Sequence, residues 1–102
     1  MRQLPDAFEA IKRDHPAAMQ AYEALAKAAH EAGPLDERVR RLVKLGIAVG
    51  ARLEGAVKSH AAQARDAGIG EPEIDHVVLL ALTTIGLPST VAARTWVESS
   101  RE

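Results

Sequence analysis

The chain of 102 residues contains no cysteine. It therefore cannot form a disulfide, supply a thiolate nucleophile or bind a metal through sulfur. Its four histidines are His15, His30, His60 and His76, and no two of them have a spacing such as H-x-x-x-H that is typical of a metal site. We expect neither a metal nor another cofactor.

Aromatic residues and long apolar runs are also scarce. Aromatics make up 3% of the chain although hydrophobic residues make up 47%, so alanine and aliphatic side chains must build the core. This bias favours packed helices over a sheet. The longest apolar run, residues 77–82, is too short to cross a bilayer, and no apolar leader segment stands near the N-terminus. We expect a cytoplasmic protein that does not bind membranes.

Neither sign of charge is in excess, because the chain has 13 basic and 14 acidic residues and a net charge of −1. The basic residues are spread along the chain, so the sequence has no electrostatic footprint for nucleic acid. The densest basic patch consists of Arg38, Arg40, Arg41 and Lys44. We interpret this patch as a solvated helix face whose positive charge is balanced by Asp36 and Glu37.

Proline and glycine divide the chain into five to six helices of one small domain, residues 1–102. The predicted helices span about residues 5–13, 16–31, 36–50, 52–67, 71–86 and 90–99. Asp36 is the predicted N-cap of the third helix, and Gly68 is the predicted residue after the end of the fourth. The fifth helix is apolar nearly all round from 77 to 82, which predicts burial on every side and, in so small a domain, contact with another subunit.

The third predicted helix carries an apolar stripe and two glycines. The residues predicted to face inward are Val39, Leu42, Val43 and Ile47. Gly46 and Gly50 lower helix propensity. Their spacing puts both on one face, where they would let another backbone approach closely. A bend near Gly50 is the competing interpretation.

Residues 50–68, GARLEGAVKSHAAQARDAG, resemble the core helix of the carboxymuconolactone decarboxylase and alkylhydroperoxidase AhpD-like family. The redox branch of that family carries a glutamate, two cysteines and a histidine spaced as E-x-x-C-x-x-C-x-x-x-H. The matching positions here are Gly50, Leu53, Ala56 and His60. The likeness is strongest over residues 34–96. Over this range the chain has, in the same order as the family, a charged helix entry, the histidine helix, a turn with glycine and a very apolar helix.

The resemblance implies an all-α fold with a central helical hairpin, assembled into homo-oligomers that are commonly trimers or hexamers. The redox branch uses its cysteines as a peroxidatic and resolving pair, whereas the decarboxylase branch acts on a carboxylated lactone without that pair. Peroxide reduction needs a thiolate to attack the O–O bond and a second thiol to resolve the sulfenic acid. Leu53 and Ala56 can do neither, which excludes thiol peroxidase activity.

His60 is the first candidate catalytic residue, because an imidazole can donate or accept a proton near neutral pH. A structural histidine within an apolar face of the helix is the alternative. Glu54 is the second candidate, although six residues of helix separate the two by about 600°, which leaves them about 120° apart. The alternative for Glu54 is a surface ion pair with Lys58 four residues later.

Three functions are compatible with these residues. The protein could be a family member without redox chemistry and without an assigned activity, acting on an unidentified ligand or partner. It could be a non-redox enzyme that decarboxylates a lactone or β-keto acid, with His60 transferring a proton and Glu54 or Arg52 of a neighbouring subunit binding a small acidic ligand. It could also be a helical protein-interaction module. The enzyme needs a cavity around His60 with at least one cationic group, and this hypothesis fails if His60 packs against apolar side chains without a pocket. A pocket in which Arg or Lys converges on the imidazole would favour the enzyme, whereas a broad exposed apolar patch left after oligomerisation would favour the interaction module.

Overall fold

A computed structural model describes residues 6–101, which contain helices and no strand. In chain order the helices are α1 (Asp6–Asp14), α2 (Pro16–Glu31), α3 (Glu37–Ala51), α4 (Glu54–Asp66), α5 (Glu71–Leu80), α6 (Leu82–Ile85) and α7 (Leu87–Ser99). The predicted all-α class is therefore confirmed. None of the helices among these residues is long and apolar enough to pass through a membrane.

The described residues fall into two compact units, one with α1 and α2 (residues 6–35) and one with α3 to α7 (residues 36–101). The expectation of a single domain over residues 1–102 stays a prediction. The core of the larger unit is formed by small and aliphatic side chains, as the shortage of aromatics predicts. Its innermost members are Leu45 and Val49 of α3, Val57, Ala61 and Ala64 of α4, Ile74 of α5 and Ala93 of α7.

The inner face of α3 differs from the prediction. Of the four residues predicted to face inward, Leu42 packs against the core. Val39, Val43 and Ile47 are instead 38%, 44% and 65% exposed, whereas Leu45 and Val49 are buried. The reason is that α3 carries two apolar stripes, and periodicity alone does not tell which of them meets the core. The helix continues through Gly50 to Ala51 without interruption, and among residues 6–101 no atom lies within 4 Å of the place that a Cβ on Gly50 would take.

Local signals at the helix ends act as predicted. The backbone N–H of Val39 donates to Asp36 Oδ1 at 2.9 Å, which makes Asp36 the N-cap of α3. After α4, Gly68 adopts a φ of 85° and its N–H bonds to the carbonyl of Arg65, while the N–H of Ile69 bonds to that of Ala64. These two bonds form a Schellman motif that satisfies the last carbonyls of the helix.

The predicted apolar helix over 71–86 is divided at Ala81 into α5 and the single turn α6. Gly86, with a φ of 89°, separates α6 from α7, which begins at Leu87 rather than near residue 90. Val78 is buried, but Leu79 and Leu80 are 56% and 62% exposed. Within residues 6–101, the chain thus covers only one side of this apolar segment.

Arg65 joins three helices at the end of the core. Its Nε and Nη2 donate to the two carboxylate oxygens of Glu71 at 2.5 and 3.1 Å. The same guanidinium donates to Ser100 Oγ at 2.8 Å and to the carbonyl of Val97 at 3.1 Å. Because the Arg65 side chain is only 19% exposed, this set of bonds ties α4 to the start of α5 and to the end of α7.

Candidate functional site

The site is built on the hairpin of α3 and α4, whose turn consists of Arg52 and Leu53. Arg52 takes a left-handed conformation with φ 58° and ψ 44°, and its N–H bonds to the carbonyl of Val49. Leu53 then returns to extended backbone and begins α4. This two-residue turn produces the central helical hairpin that the resemblance implies, and it fixes how the two helices face each other.

A hydrogen bond across the hairpin gives its register. Arg41 Nη1 on α3 donates to Gln63 Oε1 on α4 at 2.5 Å. Position 52 lies midway between 41 and 63, and it also lies midway between 44 and 60. For two helices that run antiparallel from this turn, counting three residues along each helix from the observed bond pairs position 44 with position 60, so this register sets Lys44 against His60.

The electrostatics of His60 agree with this register. Its side chain is half-buried. Burial lowers the pKa of His60 from 6.5, and the positive charges of Lys44 and Arg41 lower it further. The imidazole is consequently neutral near pH 7. Its Nδ1 is buried and bonds to no atom of residues 6–101, an arrangement that costs about 1–3 kcal/mol in a typical protein and calls for an explanation.

Arg41 is held firmly in place. Its Nε donates to Glu37 Oε2 at 2.6 Å, and the Gln63 amide that accepts from Nη1 also donates to Ser59 Oγ at 3.0 Å. Glu37 thus balances part of the positive charge, as the sequence predicts. Lys44, by contrast, forms no ion pair within residues 6–101, so its ammonium group is available to an anion.

Glu54, the second candidate, pairs with Lys58 at 2.8 Å, and its side chain is 54% exposed. This is the surface ion pair that the sequence offers as the alternative, and no hydrogen bond in the described part of the chain joins Glu54 to His60. Arg52 donates to Ser89 Oγ at 3.4 Å. The cations that act on His60 are therefore Lys44 and Arg41, and neither Glu54 nor Arg52 is among the groups that shift its pKa.

A separate cleft of about 570 Å³ lies between α3 and α5–α6. Its polar members are Glu73, His76 and Thr84, and the remaining lining is apolar. His60 is not part of it. Among residues 6–101, no group of three histidine or acidic side chains is placed to hold a metal ion.

The sequence model of the carboxymuconolactone decarboxylase family matches residues 16–99 of this chain, which is most of its length. The chain belongs to the carboxymuconolactone decarboxylase family. This membership confirms the resemblance read from residues 34–96. This carboxymuconolactone decarboxylase family member contains no cysteine, which agrees with the exclusion of thiol peroxidase activity.

Two further comparisons identify proteins that are similar to this family member. A crystal structure of an apo carboxymuconolactone decarboxylase family protein from Legionella pneumophila is similar with a TM-score of 0.78 and 22% identity, over 93% of this chain and 85% of that one. That likeness supports the fold. An uncharacterized protein from Haemophilus influenzae is 38% identical over 58 residues, or 57% of this chain. The chain spans about half the length of that curated relative, 51%.

Lys44 and Arg41 were missed as site residues by sequence reasoning, which assigned them to a solvated face. One signal could have found them. Had the turn been placed at position 52, the hairpin register would have put Lys44 opposite His60.

Proposed function

We propose that this protein is a non-redox member of its family that binds a small carboxylate between α3 and α4 and transfers a proton with His60. The observation that carries the proposal is the hairpin register, which sets Lys44 and Arg41 against a half-buried imidazole. Convergence of cations on His60 is one of the two features that an enzyme needs here. The other is a cavity beside the imidazole, which the cleft between α3 and α5–α6 does not supply.

A carboxylate fits this site because of its charge. Lys44 has no ion pair among the described residues, and Arg41 is fixed by Glu37 and Gln63 so that little of its freedom is lost on binding. A half-buried position strengthens the attraction relative to open solvent. The ligand is therefore expected to place its carboxylate at Lys44, with Arg41 as the second donor.

Binding of the carboxylate would also prepare His60 for proton transfer. In the free protein, the nearby cations disfavour the imidazolium form. A bound anion offsets those charges and raises the pKa of His60, since an opposite charge close by favours the charged form of a titrating group. The imidazole then becomes a stronger proton acceptor only when the ligand is present.

The chemistry suits a carboxylic acid that also carries a carbonyl, such as a keto acid or a carboxylated lactone. The imidazole takes a proton from the carbon beside the carbonyl, the C–H electron pair becomes the enolate, and the imidazolium returns the proton. In a decarboxylation, His60 first takes a proton from solvent once the bound carboxylate has raised its pKa. The electron pair of the C–CO₂ bond then forms the enolate, carbon dioxide leaves, and the imidazolium protonates the enolate carbon and returns to the neutral form. Both sequences balance without a redox partner.

Binding is tested by titrating acetoacetate and a carboxylated γ-butyrolactone into protein with labelled histidine and following the His60 ring signals by NMR. We expect these signals to move, with weaker binding in Lys44→Gln and unchanged binding in Lys27→Gln, an exposed lysine of the other unit. If neither compound moves the His60 signals, the carboxylate site is disproved.

Proton transfer is tested with the same compounds in D₂O, where abstraction replaces a C–H by C–D and decarboxylation releases carbon dioxide. We expect the natural chain to accelerate exchange or decarboxylation above the rate without protein, and His60→Gln to give only the rate without protein. Binding that is retained while the natural chain catalyses no exchange and no decarboxylation would reject the enzyme and leave a ligand-binding protein.

A further inference from the structure

Gln63 lies next to two of the groups that the proposed function uses. Its Oε1 accepts the hydrogen bond from Arg41 Nη1 at 2.5 Å, and its Nε2 donates to Ser59 Oγ at 3.0 Å. Gln63 also follows His60 by three residues on α4, so the two side chains are neighbours on the surface of that helix. A change at position 63 therefore reaches both the guanidinium and the imidazole.

The amide of Gln63 is fixed in one orientation. A guanidinium only donates hydrogen bonds, so the atom that faces Arg41 must be the carbonyl oxygen of the amide. The NH₂ group then faces Ser59, whose hydroxyl oxygen accepts from it. Because this side chain is also half-buried, it positions one end of the Arg41 guanidinium while Glu37 positions the other.

The side chain that positions Arg41 from α4 is uncharged, although a carboxylate would bind a guanidinium more strongly. Charge-assisted hydrogen bonds are roughly twice as strong as neutral ones, and glutamate has the same length as glutamine. Among residues 6–101, Glu37 is the only carboxylate that pairs with Arg41, and Glu37 Oε1 also lies 3.5 Å from Arg40 Nη1. The positive charge of Arg41 is therefore only partly neutralised.

The charge at position 63 matters for His60 because of their spacing. Residues three apart on a helix have Cβ atoms about 5–6 Å apart, which is less than the Debye length of about 8–10 Å in physiological salt. A carboxylate at position 63 would favour the imidazolium and would repel the carboxylate of a ligand. The amide does neither, so Lys44 and Arg41 are the charges that lower the pKa of His60.

We propose that Gln63 determines the specificity of this site for anions, because it positions Arg41 without neutralising it. The selected ligand is a carboxylate rather than an uncharged ester of the same shape. Gln63 contacts Arg41 and is a positioning residue, not a catalytic one. The inference rests on the proposed function for the identity of the ligand, whereas the effect of position 63 on His60 belongs to the free protein.

The first test needs no ligand and follows the pKa of His60 by NMR titration. Gln63→Glu should raise this pKa, because it adds a carboxylate beside the imidazole. Gln63→Met, of similar size and without charge, should leave it below 6.5, since burial is the largest cause of the shift. Thr95→Glu makes the same change of net charge at an exposed position on α7 and should have no effect.

Circular dichroism of each variant checks that its helices are intact. A pKa of His60 that Gln63→Glu leaves unchanged would overturn the inference, and so would an equal rise in Thr95→Glu. A rise of the same size in Gln63→Met would overturn it too, because the effect would then come from the lost hydrogen bond and not from charge.

The second test compares acetoacetate with its uncharged methyl ester, each titrated against the His60 ring signals. The natural chain should prefer acetoacetate, and Gln63→Glu should reduce that preference by about tenfold. Gln63→Met should reduce it less. A preference that Gln63→Glu leaves unchanged overturns the inference but not the proposed function. A natural chain that binds neither compound rejects the proposed function, and the pKa of His60 in the free protein then decides the role of Gln63.

Discussion

The guanidinium of Arg65 provides the sharpest test of what holds the larger unit together. We expect Arg65→Met, which keeps most of the aliphatic stem and removes the charge, to destabilise the protein strongly. The guanidinium, on a side chain that is only 19% exposed, makes two bonds to the carboxylate of Glu71 and one each to Ser100 Oγ and the Val97 carbonyl. The variant loses all four and leaves their acceptors without that donor.

The magnitude follows from the exposure of each partner. The Glu71 side chain is 40% exposed, so its ion pair is screened and contributes about 0.5–1 kcal/mol. The bonds to Val97 and to the buried Ser100 add about 1–1.5 kcal/mol each, because their charged donor is largely out of water. The expected loss is about 2.5–4 kcal/mol in the free energy of unfolding, or roughly 10–30 °C in Tm for a chain of this size.

This loss should depend on pH. The hydrogen bond from Arg65 holds the pKa of Glu71 below its usual 4.5, and the charges of Arg65 and Arg101 add to that effect against the opposing effect of burial. A lowered folded-state pKa means that the ion pair stabilises fully above the unfolded value of 4.5 and is lost as the pH falls through the folded value. The difference between the natural chain and Arg65→Met should therefore shrink on acidification.

Urea unfolding followed by circular dichroism, at several values between about pH 7 and about pH 3, measures this difference directly. A cycle with Glu71→Gln isolates the ion pair, with an expected coupling of about 0.5–1 kcal/mol near neutral pH. A loss below about 1 kcal/mol in Arg65→Met, or a loss that is independent of pH, would refute the reasoning.

Two further predictions concern the core and the site. Leu45→Ala, at a side chain that is 0% exposed, should lower the free energy of unfolding in urea by about 2–5 kcal/mol. Leu87→Ala, at a side chain that is 61% exposed, should change it by less than about 0.5 kcal/mol. Similar losses in the two variants would disprove the assigned core. Lys44→Gln should raise the pKa of His60 in an NMR titration and Lys27→Gln should not, while the pKa of His60 in the natural chain stays below 6.5. Because the unfolded histidine binds protons more readily than the folded one, stability should rise with pH through the interval that ends near 6.5.

Helix existence and helix ends were the most predictable features, because single residues specify them. Proline at position 16 marks the start of α2, Asp36 caps α3, and Gly68 takes the left-handed conformation that ends α4. These signals act within a few residues of chain and do not depend on the rest of the fold. The division at Ala81 has no such signal in the sequence and was missed.

The direction in which a helix faces was less predictable. Helix α3 has one apolar stripe through Leu45 and Val49 and another through Val43 and Ile47, and only the packing of α4 decides between them. The same limit applied to the site. His60 could be named as a candidate from the resemblance, but its neighbour Lys44 depends on the register of two helices, which no local pattern encodes.

The turn at Arg52 has a consequence for how this protein can change by insertion or deletion. One residue added to or removed from the turn rotates α4 by about 100° relative to α3 and carries the imidazole away from Lys44 while leaving both helices intact. The left-handed backbone conformation of Arg52 thus fixes the length of the turn and, with it, the register of α4 against α3. Relatives that share the chemistry proposed here are expected to keep the spacing from position 44 to position 60, whatever residue occupies position 52.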